Sequence, residues 1–551
     1  MRLRLLIRIA VIVSIVLLCT GLGIYSFLQL DAVNRQKDFN LYAVVPQDAL
    51  AVLETDRLAE LMDDIGRMEC SKDGHFLYFS ELFVCLKQYF YTLMDDTPHG
   101  LSRQMNKVLI SFHEPDTPMN QVMYCTLGAG DAELVETFIR KYSSSSYPSK
   151  RIDYKGEEIR IYPMSDGRFL AVYLTPDFLA FSFQKRLIEQ VIDAARSKRS
   201  LMELPSFKRM YTGKHANVSA TIYLRMKSVD MGKRTDGLHV QTRLGNWAEF
   251  DLKLDEEAIY CSGVSQNTDS VTNFVNVLRK LGPIEGFCGE QLPASTFFYT
   301  CCSLSDVKAM LDFAASQEYA KADYPEVVKK RDGEWFAYLS EFAGDRMLFC
   351  LFQSKDTADN KPCAVVAIPL KDVRKAEGAL QDLIYSVPRE GGEPMPPKFV
   401  PDYARYPRAR WNRKYLLPRS TLLPQLTGIT ESSLYAYASL YKDTLLLAPD
   451  GRSLSAYVDA LEEGSVLPPA SIYGEGMRNL SQAYNLVMMV DMEEMLEQPE
   501  AYVRLVPNFF FRQHEFFRHF MLAIQFTCVE GVIYPNIVLL YNRKPTDEPM
   551  E

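Results

Sequence analysis

Two histidines near the C-terminus come close to a metal-binding pattern. The segment is His514-Glu515-Phe516-Phe517-Arg518-His519. In zinc-binding helices of the H-E-x-x-H type the two histidines are four residues apart, whereas here they are five residues apart. At a spacing of five, the two side chains diverge by about 140° around a helix and do not share an ion. No Cys/His cluster stands elsewhere in the sequence, so we predict no metal and no other cofactor.

A serine and a lysine stand at the spacing that some acylating enzymes use. Ser182 and Lys185 match the pattern S-x-x-K, in which the lysine activates a serine one helical turn away. The partner motifs of penicillin-binding proteins are absent, and so short a motif is frequent by chance. We therefore interpret the pair as a strand-to-helix junction and predict no catalytic residue.

Arginines alternate with aromatic residues inside a proline-rich stretch, residues 385–427. Arginine forks beside aromatic rings suit carboxylate or phosphate groups on glycans, lipids or partner proteins. The alternative is a solvated loop whose charges bind nothing specific. We call the candidate residues the contact segment: Tyr403, Arg405, Arg408, Arg410, Trp411, Arg413 and Lys414.

Six phenylalanines near the C-terminus form a second candidate surface. As an exposed patch they would face a partner or a membrane, whereas aromatic residues that lead into a terminal hairpin usually belong to the core. The six are Phe509, Phe510, Phe511, Phe516, Phe517 and Phe520.

The composition is that of a folded protein with more than one domain. Of 551 residues, 47% are hydrophobic and 24% are charged, and single cores seldom exceed about 300 residues. The net charge of −9 argues against binding to nucleic acid. The eleven cysteines are irregularly spaced without a C-x-x-C pair, so we expect buried free thiols. A bridge between Cys350 and Cys363 across a hairpin is the alternative.

The N-terminus carries an apolar run long enough to cross a membrane. Residues 9–28 contain no charge and would span about 30 Å as a helix. Arginines precede the run, while the charges after it nearly cancel, which predicts a cytoplasmic stub at 1–8. We therefore predict a single-pass protein that contacts the lipid bilayer through residues 9–30, with its bulk on the periplasmic side of the inner membrane. Cleavage as a signal peptide is the alternative.

The remainder of the chain contains an internal repeat. Residues 177–194 align without a gap with residues 443–460, at an offset of 266, and weaker similarities follow in the same order. We predict two repeat units, 39–270 and 285–543, the second carrying the insertion 385–427, and a flexible tail at 544–551.

Each repeat unit is predicted to be α+β. Strands such as residues 220–226 and 249–254 alternate apolar and polar side chains, which is typical of a sheet with one buried face. Helical stretches such as residues 185–197 carry one apolar stripe. The predicted fold class is therefore a transmembrane helix followed by two duplicated units of antiparallel sheet, with helices packed on one face.

The stretch Pro46-Gln47-Asp48-Ala49-Leu50, after an N-terminal apolar run, resembles the opening of a family of uncharacterised bacterial envelope proteins, known as a domain of unknown function. The resemblance implies an α+β domain in the cell envelope and brings no catalytic residue with it.

Three functions fit these patterns. The absence of a convergent catalytic set favours a non-enzymatic scaffold or binding module of the envelope, with another envelope protein or an anionic glycan or lipid as partner. A carrier or sensor of hydrophobic molecules is the first alternative, motivated by the aromatic content. A hydrolase is the second, and it requires polar groups with shifted pKa values to converge in a pocket.

Overall fold

The protein is described by a computed structural model that divides into two compact units. Unit 1 comprises residues 1–63 and 78–224, and unit 2 comprises residues 64–77 and 225–551. The predicted repeat bounds, 39–270 and 285–543, stay a prediction. The described residues are 39–75, 107–115, 117, 119–128, 133, 135–137, 149–164, 167–197, 199–211, 218–226, 230–233, 239–241, 246–265, 274–316, 326–354, 361–386, 414–417, 420, 422–423, 437–497, 502 and 505–542.

Unit 1 contains one antiparallel sheet in the order β4-β5-β6-β7-β3-β2-β1-β8. Leu53 in β1 pairs with Ile110 of β2 on one side and with Ile222 of β8 on the other, which places β1 inside the sheet. The strands are β1 (Ala51–Thr55), β2 (Val108–Phe112), β3 (Gln121–Thr126), β4 (Lys150–Tyr154), β5 (Glu157–Pro163), β6 (Phe169–Leu174), β7 (Phe178–Ser182) and β8 (Ala220–Arg225).

Unit 2 contains a longer antiparallel sheet in the order β11-β12-β23-β22-β21-β14-β15-β16-β19-β18-β17 and two short pairs, β9–β10 and β13–β20. Its strands are β9 (Asp230–Lys233), β10 (His239–Gln241), β11 (Trp247–Leu254), β12 (Ala258–Val264), β13 (Ile284–Glu285), β14 (Thr296–Ser303), β15 (Arg346–Phe352), β16 (Cys363–Pro369), β17 (Lys414–Leu416), β18 (Tyr437–Tyr441), β19 (Thr444–Ala448), β20 (Ala483–Tyr484), β21 (Leu486–Asp491), β22 (Phe520–Val529) and β23 (Val532–Tyr541).

Helices are interspersed between these strands. In α3, buried residues recur every three or four positions, from Leu187 and Ile188 to Val191 and Ile192, as an amphipathic helix requires. The α-helices are α1 (Leu58–Arg67), α2 (Glu69–Lys72), α3 (Lys185–Ser197), α4 (Pro205–Met210), α5 (Phe274–Leu278), α6 (Val307–Ser316), α7 (Glu326–Phe342), α8 (Val373–Ser386), α9 (Gly451–Glu462), α10 (Ile472–Arg478), α11 (Met492–Glu497), α12 (Asn508–Arg512) and α13 (His514–Phe517). Short 3-10 helices lie at Leu41–Ala43, Leu201–Glu203 and Gly289–Gln291.

Both faces of the unit 2 sheet are buried. Along β15, Met347, Phe349 and Leu351 belong to one core cluster, which also contains apolar residues of α6, α7 and α8. The alternating residues Leu348, Cys350 and Phe352 belong to a second cluster, which contains residues of α9 and α10. Because successive side chains of a strand point to opposite faces, helices cover this sheet on both sides.

Unit 1 is also filled on both faces of its sheet. Ile110 and Met123 lie in one cluster with Leu58 and Met62 of α1. Their neighbours on β2 and β3, which point to the opposite face, are fully buried as well: Leu109, Ser111, Val122 and Tyr124.

Six strands occur in the same order in each unit. The order is β6-β7-β3-β2-β1-β8 in unit 1 and β18-β19-β16-β15-β14-β21 in unit 2, and the strands follow one another along the chain in the same sequence. Equivalent elements begin 266 residues apart: β7 and β19 at Phe178 and Thr444, α3 and α9 at Lys185 and Gly451, β8 and β21 at Ala220 and Leu486. The residues that align without a gap, 177–194 and 443–460, thus lie in elements that have the same place in the strand order of each unit.

The predicted fold class is nevertheless wrong. The described residues form mainly large antiparallel sheets, with eight strands in unit 1 and eleven in unit 2, and the unit 2 sheet is covered by helices on both faces. The hairpin β11–β12, assigned to the first repeat from its sequence, pairs through β12 with β23 of unit 2. Unpaired backbone groups on the edge of β23 favour such pairing, and the pattern within one strand does not reveal it.

The predicted single-pass membrane localisation is contradicted as well. Among the described residues no helix is long and apolar enough to cross a bilayer. The longest described helix, α7, has 17 residues and carries seven charged side chains, whereas a span needs about 20 mainly apolar ones. The segment 9–30 lies outside the described residues, as do the predicted stub 1–8, the tail 544–551 and most of the insertion 385–427.

Candidate functional site

Of the seven contact-segment residues, only Lys414 is described. It is the first residue of β17, where it pairs with Ser439 of β18, and its ammonium donates a hydrogen bond to Ser455 Oγ in α9. A Cβ atom at Gly451 would lie 3.4 Å from Lys414 Cδ, so the lysine stem runs along the first turn of this helix. Lys414 therefore joins the contact segment to α9. The other six, Tyr403, Arg405, Arg408, Arg410, Trp411 and Arg413, lie outside the described residues.

The two histidines of the zinc-like pattern, His514 and His519, contact different residues. His519 stacks on His75 with ring centroids 3.6 Å apart, and burial, followed by the nearby His75, lowers the pKa of His519. His514 instead pairs through Nε2 with the exposed Glu515 at 2.9 Å. Within the described part of the chain, no group of three or more His, Cys, Asp or Glu side chains is placed to hold a metal ion.

Ser182 and Lys185 face different partners. The Ser182 hydroxyl is fully buried and donates to the Gln121 carbonyl at 2.6 Å, while its oxygen accepts from the Gln184 N–H at 3.0 Å. Lys185 pairs with Glu189 one turn further along α3. The serine therefore fixes the turn between β7 and α3.

Most of the phenylalanine group lies in the core. Phe510, Phe516, Phe517 and Phe520 are buried, while Phe509 is 40% exposed and packs edge-on against Phe517 at 5.4 Å. Phe511 is partly buried and packs against the same core, so the six residues do not form an exposed patch.

Unit 1 contains an aspartate, a histidine and a serine in one hydrogen-bonded chain. Asp48 Oδ1 lies 3.3 Å from His113 Nδ1, and His113 Nε2 lies 2.8 Å from Ser111 Oγ. Ser111 Oγ is also 3.2 Å from the hydroxyl of Tyr124. Because a carboxylate only accepts hydrogen bonds, Nδ1–H donates to Asp48, and the neutral ring can accept from Ser111 at Nε2.

Local structure brings these four side chains together. Ser111 lies on β2 and His113 follows two residues later, so both side chains point to the same face. Tyr124 lies on the neighbouring strand β3, and Asp48 lies in the turn before β1. The end of this turn is fixed by a 2.8 Å hydrogen bond from the Leu50 N–H to the Phe112 carbonyl. The hydrogen bond from His113 lowers the pKa of Asp48, while burial opposes that shift. Burial raises the pKa of Tyr124.

These are the residue types of a serine hydrolase, but Ser111 is 0% exposed and His113 is 1% exposed. A catalytic serine must reach a carbonyl carbon of its substrate, beside donors for the resulting oxyanion. The Ser111 hydroxyl is instead enclosed between β-strands, the imidazole and Tyr124. The arrangement instead connects the turn before β1 to the end of β2.

Unit 2 contains two thiols in contact. Cys288 Sγ lies 3.6 Å from Cys301 Sγ, and both cysteines are free. The hydroxyl of Tyr484 is 3.8 Å from Cys288 Sγ and donates to the Gly286 carbonyl at 3.0 Å. Arg346 Nη1 approaches the same sulfur at 3.9 Å.

Three elements position this thiol pair. Cys301 lies on β14 and points into the core cluster shared with α9 and α10. The short pair β13–β20 brings Tyr484 beside the loop that carries Cys288. Arg346 begins β15 opposite Ser303, and its guanidinium is held by two 3.1 Å hydrogen bonds to Asp345.

The two thiols differ in electrostatics. The hydrogen bond with Cys301 lowers the pKa of Cys288, and Tyr484 and Arg346 act in the same direction, against the effect of burial. The same hydrogen bond and burial raise the pKa of Cys301. Burial alone raises the pKa of the adjacent Cys302 to about 12. Cys288 is therefore the thiol of this region that ionises first.

Neither arrangement was predicted from the sequence. Ser111 and His113 carry a weak signal, since two polar residues at i and i+2 share one face of an apolar strand. Asp48 stands in the stretch on which the family resemblance was based. The thiol pair has no short-range signal, because Cys288 and Cys301 are thirteen residues apart and are brought together by a loop and a strand.

Comparison with known proteins yields a family match over part of the chain. Residues 106–267 match a family described as a protein of unknown function (DUF3352). The match covers less than half of the 551-residue chain and includes Ser111 and His113, but neither the 46–50 stretch nor residues 9–30. A domain of an uncharacterised family is thus present, whereas the predicted anchor and opening motif receive no support from it.

No curated protein matches the chain. A solved structure described as crystal form I of TP0453 matches at 10% identity, over 43% of this chain and 82% of that chain, with a TM-score of 0.23. Similarity at this level carries no argument about fold or function.

Proposed function

We propose that the chain is a non-enzymatic binding or scaffold module. The burial of Ser111 and His113 supports this proposal most directly, because these residues, with Asp48, form the described arrangement closest to that of a hydrolase. A side-chain network without access to substrate contributes stability rather than turnover. The hydrophobe-carrier alternative stays a prediction.

The contact segment is the binding element of this proposal. Its arginines suit carboxylate or phosphate groups, and its aromatic residues add cation–π and stacking contacts. Lys414, its last residue, begins the outer strand β17 of the unit 2 sheet and is bonded to Ser455 of α9. The partner we expect is an anionic glycan, an anionic lipid or an acidic protein surface.

The absence of hydrolysis is tested with the full-length chain and a fluorophosphonate probe. We expect no labelling of Ser111, and no p-nitrophenyl acetate turnover that Ser111→Ala removes. Ser197→Ala serves as the control, since Ser197 is an exposed serine on α3. Probe attached to Ser111, together with turnover lost in Ser111→Ala but not in Ser197→Ala, would contradict the non-enzymatic proposal.

Binding is tested with alginate and with vesicles of phosphatidylglycerol or phosphatidylcholine. Replacing Arg405, Arg408, Arg410 and Arg413 by Gln should weaken binding to the anionic ligands at least about tenfold, with a steep salt dependence. The control replaces four lysines outside the segment, Lys253, Lys308, Lys371 and Lys375, by Gln and removes the same charge. Equal losses in the two variants would show that only net charge matters, and would remove the segment from the proposal.

A further inference from the structure

Nothing in the proposed binding function uses the contact between Cys288 and Cys301. Most described cysteines stand apart in apolar surroundings, where burial raises their pKa, as for Cys125 and Cys261, each to about 12. Cys288 differs because a second thiol, a tyrosine hydroxyl and a guanidinium all reach its sulfur. Reactive thiols are typically found beside positive charge, which the guanidinium provides here.

We propose that Cys288 and Cys301 form a peroxide-sensitive dithiol, in which Cys288 is oxidised first and Cys301 completes a disulfide. The sulfurs are 3.6 Å apart, and a disulfide bond is about 2.05 Å, so side-chain rotation has to close roughly 1.5 Å. Cys288 is 6% exposed and Cys301 is 0% exposed, so Cys288 is the residue of the pair that is closer to solvent and that we expect to meet the oxidant first.

The chemistry balances with hydrogen peroxide as the oxidant. The Cys288 thiolate attacks one peroxide oxygen; an S–O bond forms, the O–O bond breaks, and the departing hydroxide takes a proton to become water. Cys288 is now a sulfenic acid. The Cys301 sulfur then attacks the Cys288 sulfur, an S–S bond forms, the S–O bond breaks, and the hydroxide leaves as water with the Cys301 proton. Two thiols are oxidised and one peroxide is reduced to two waters.

The surroundings of the pair favour this order of events. Arg346 places positive charge 3.9 Å from Cys288, and its bonds to Asp345 fix the guanidinium there. Cys301 keeps its proton and can donate it to the Cys288 thiolate. The hydroxyl of Tyr484 lies 3.8 Å from the Cys288 sulfur. A dithiol reductant would return the pair to its starting state by thiol–disulfide exchange.

The neighbouring Cys302 is a matched control. It stands next to Cys301 on β14 but points into the other core cluster, beyond contact with Cys288. Alkylation of the reduced, folded chain with iodoacetamide at pH 7 should modify Cys288 at least about tenfold faster than Cys302, since thiolates are the reacting species. In denaturant the two rates should become similar.

The disulfide is tested by peroxide treatment, blocking of remaining thiols and peptide mass spectrometry. Cleavage after Glu290 separates Cys288 from Cys301 and Cys302, so a linkage joins two peptides. We expect the link in the wild type and in Cys302→Ser, and its loss in Cys301→Ser, where dimedone should instead trap Cys288 as the sulfenic acid.

The proposal is overturned by any of three results. The first is that Cys288 is alkylated no faster than Cys302 in the folded chain. The second is that the peroxide-induced link persists in Cys301→Ser. The third is that peroxide oxidises Cys288 in a folded wild-type chain without forming a link. Circular dichroism of each variant shows that folding is retained. Because neither readout involves the contact segment, failure here leaves the binding proposal untouched, and the reverse also holds.

Discussion

The imidazole of His113 is bonded to the carboxylate of Asp48, 65 positions earlier in the chain, with 3.3 Å between Nδ1 and Oδ1. The bond joins a half-exposed residue of the turn before β1 to a histidine that is almost completely buried after β2. A buried ring nitrogen without a partner would cost free energy, so this contact favours the observed position of the turn.

Asp48→Asn should therefore destabilise unit 1 modestly. We expect a loss of about 1 kcal/mol in the free energy of unfolding, since the carboxylate is half exposed and screened by solvent. Asp56→Asn is the control, because its partner Lys107 lies 3.8 Å away with both groups partly exposed, and its loss should stay below about 0.5 kcal/mol. Urea denaturation at pH 7 measures both.

The effect of Asp48→Asn should also depend on pH. The pKa of Asp48 is lowered by folding, so its contribution is present above the unfolded-state pKa, about 3.9, and is lost as the pH falls through the folded-state value. The wild type and Asp48→Asn should differ at pH 6, approach each other as the pH falls below about 4, and converge once the pH is below the folded-state pKa of Asp48. A difference that persists unchanged at acid pH would show that the charge of Asp48 is not what stabilises the turn.

Ser111→Ala tests the enclosed part of the same network. The change leaves both His113 Nε2 and the Tyr124 hydroxyl without the partner they share, within a region closed to solvent. We expect a loss of about 1–3 kcal/mol in the free energy of unfolding, the cost of unsatisfied buried polar groups. The exposed control Ser197→Ala should stay within about 0.5 kcal/mol of the wild type. Equal stabilities for the two variants would contradict the structural role.

The number of buried faces could have been predicted better from the sequence. Residues 347–352 and 363–368 are continuous apolar runs, and such runs are typical of strands buried on both faces. The prediction relied instead on the alternating strands at 220–226 and 249–254, which represent only part of each sheet. The predicted gap-free alignment spans β7 to β8, where the corresponding elements of unit 2 begin 266 residues later.

Other features had no local signal. The pairing of β12 with β23 joins strands that are far apart in the chain, and the pattern of either strand is compatible with many partners. The position of Asp48 beside His113, and that of Cys288 beside Cys301, depend on how loops cross the ends of strands. Residue types and spacing predict which face of a helix or strand is buried, but they do not predict these two contacts between distant residues.

The two-sided burial of β15 has a direct test in adjacent substitutions. Leu348 and Phe349 point to opposite core clusters, so Leu348→Ala should cost about 2–5 kcal/mol and Phe349→Ala about 3–5 kcal/mol. Ser262→Ala, at an exposed position of β12, should have almost no effect. If one of the two β15 variants had nearly wild-type stability in urea, that face of the sheet would not be packed against helices.

Removal of the positive charge beside Cys288 should change the pH at which this thiol reacts. Arg346 lowers the pKa of Cys288, so Arg346→Gln should move the midpoint of the alkylation rate of Cys288 to higher pH, whereas Arg346→Lys, which keeps the charge, should leave it closer to that of the wild type.

The other groups that act on the Cys288 sulfur remain in both variants, and they limit the size of this shift. They are Cys301 and Tyr484, both of which lower the pKa of Cys288. Because the hydrogen bond between Cys288 and Cys301 is the largest cause of the lowered pKa, Cys301→Ala should raise the midpoint further than Arg346→Gln does. A midpoint that is the same in wild type, Arg346→Gln and Cys301→Ala would mean that neither neighbour stabilises the Cys288 thiolate.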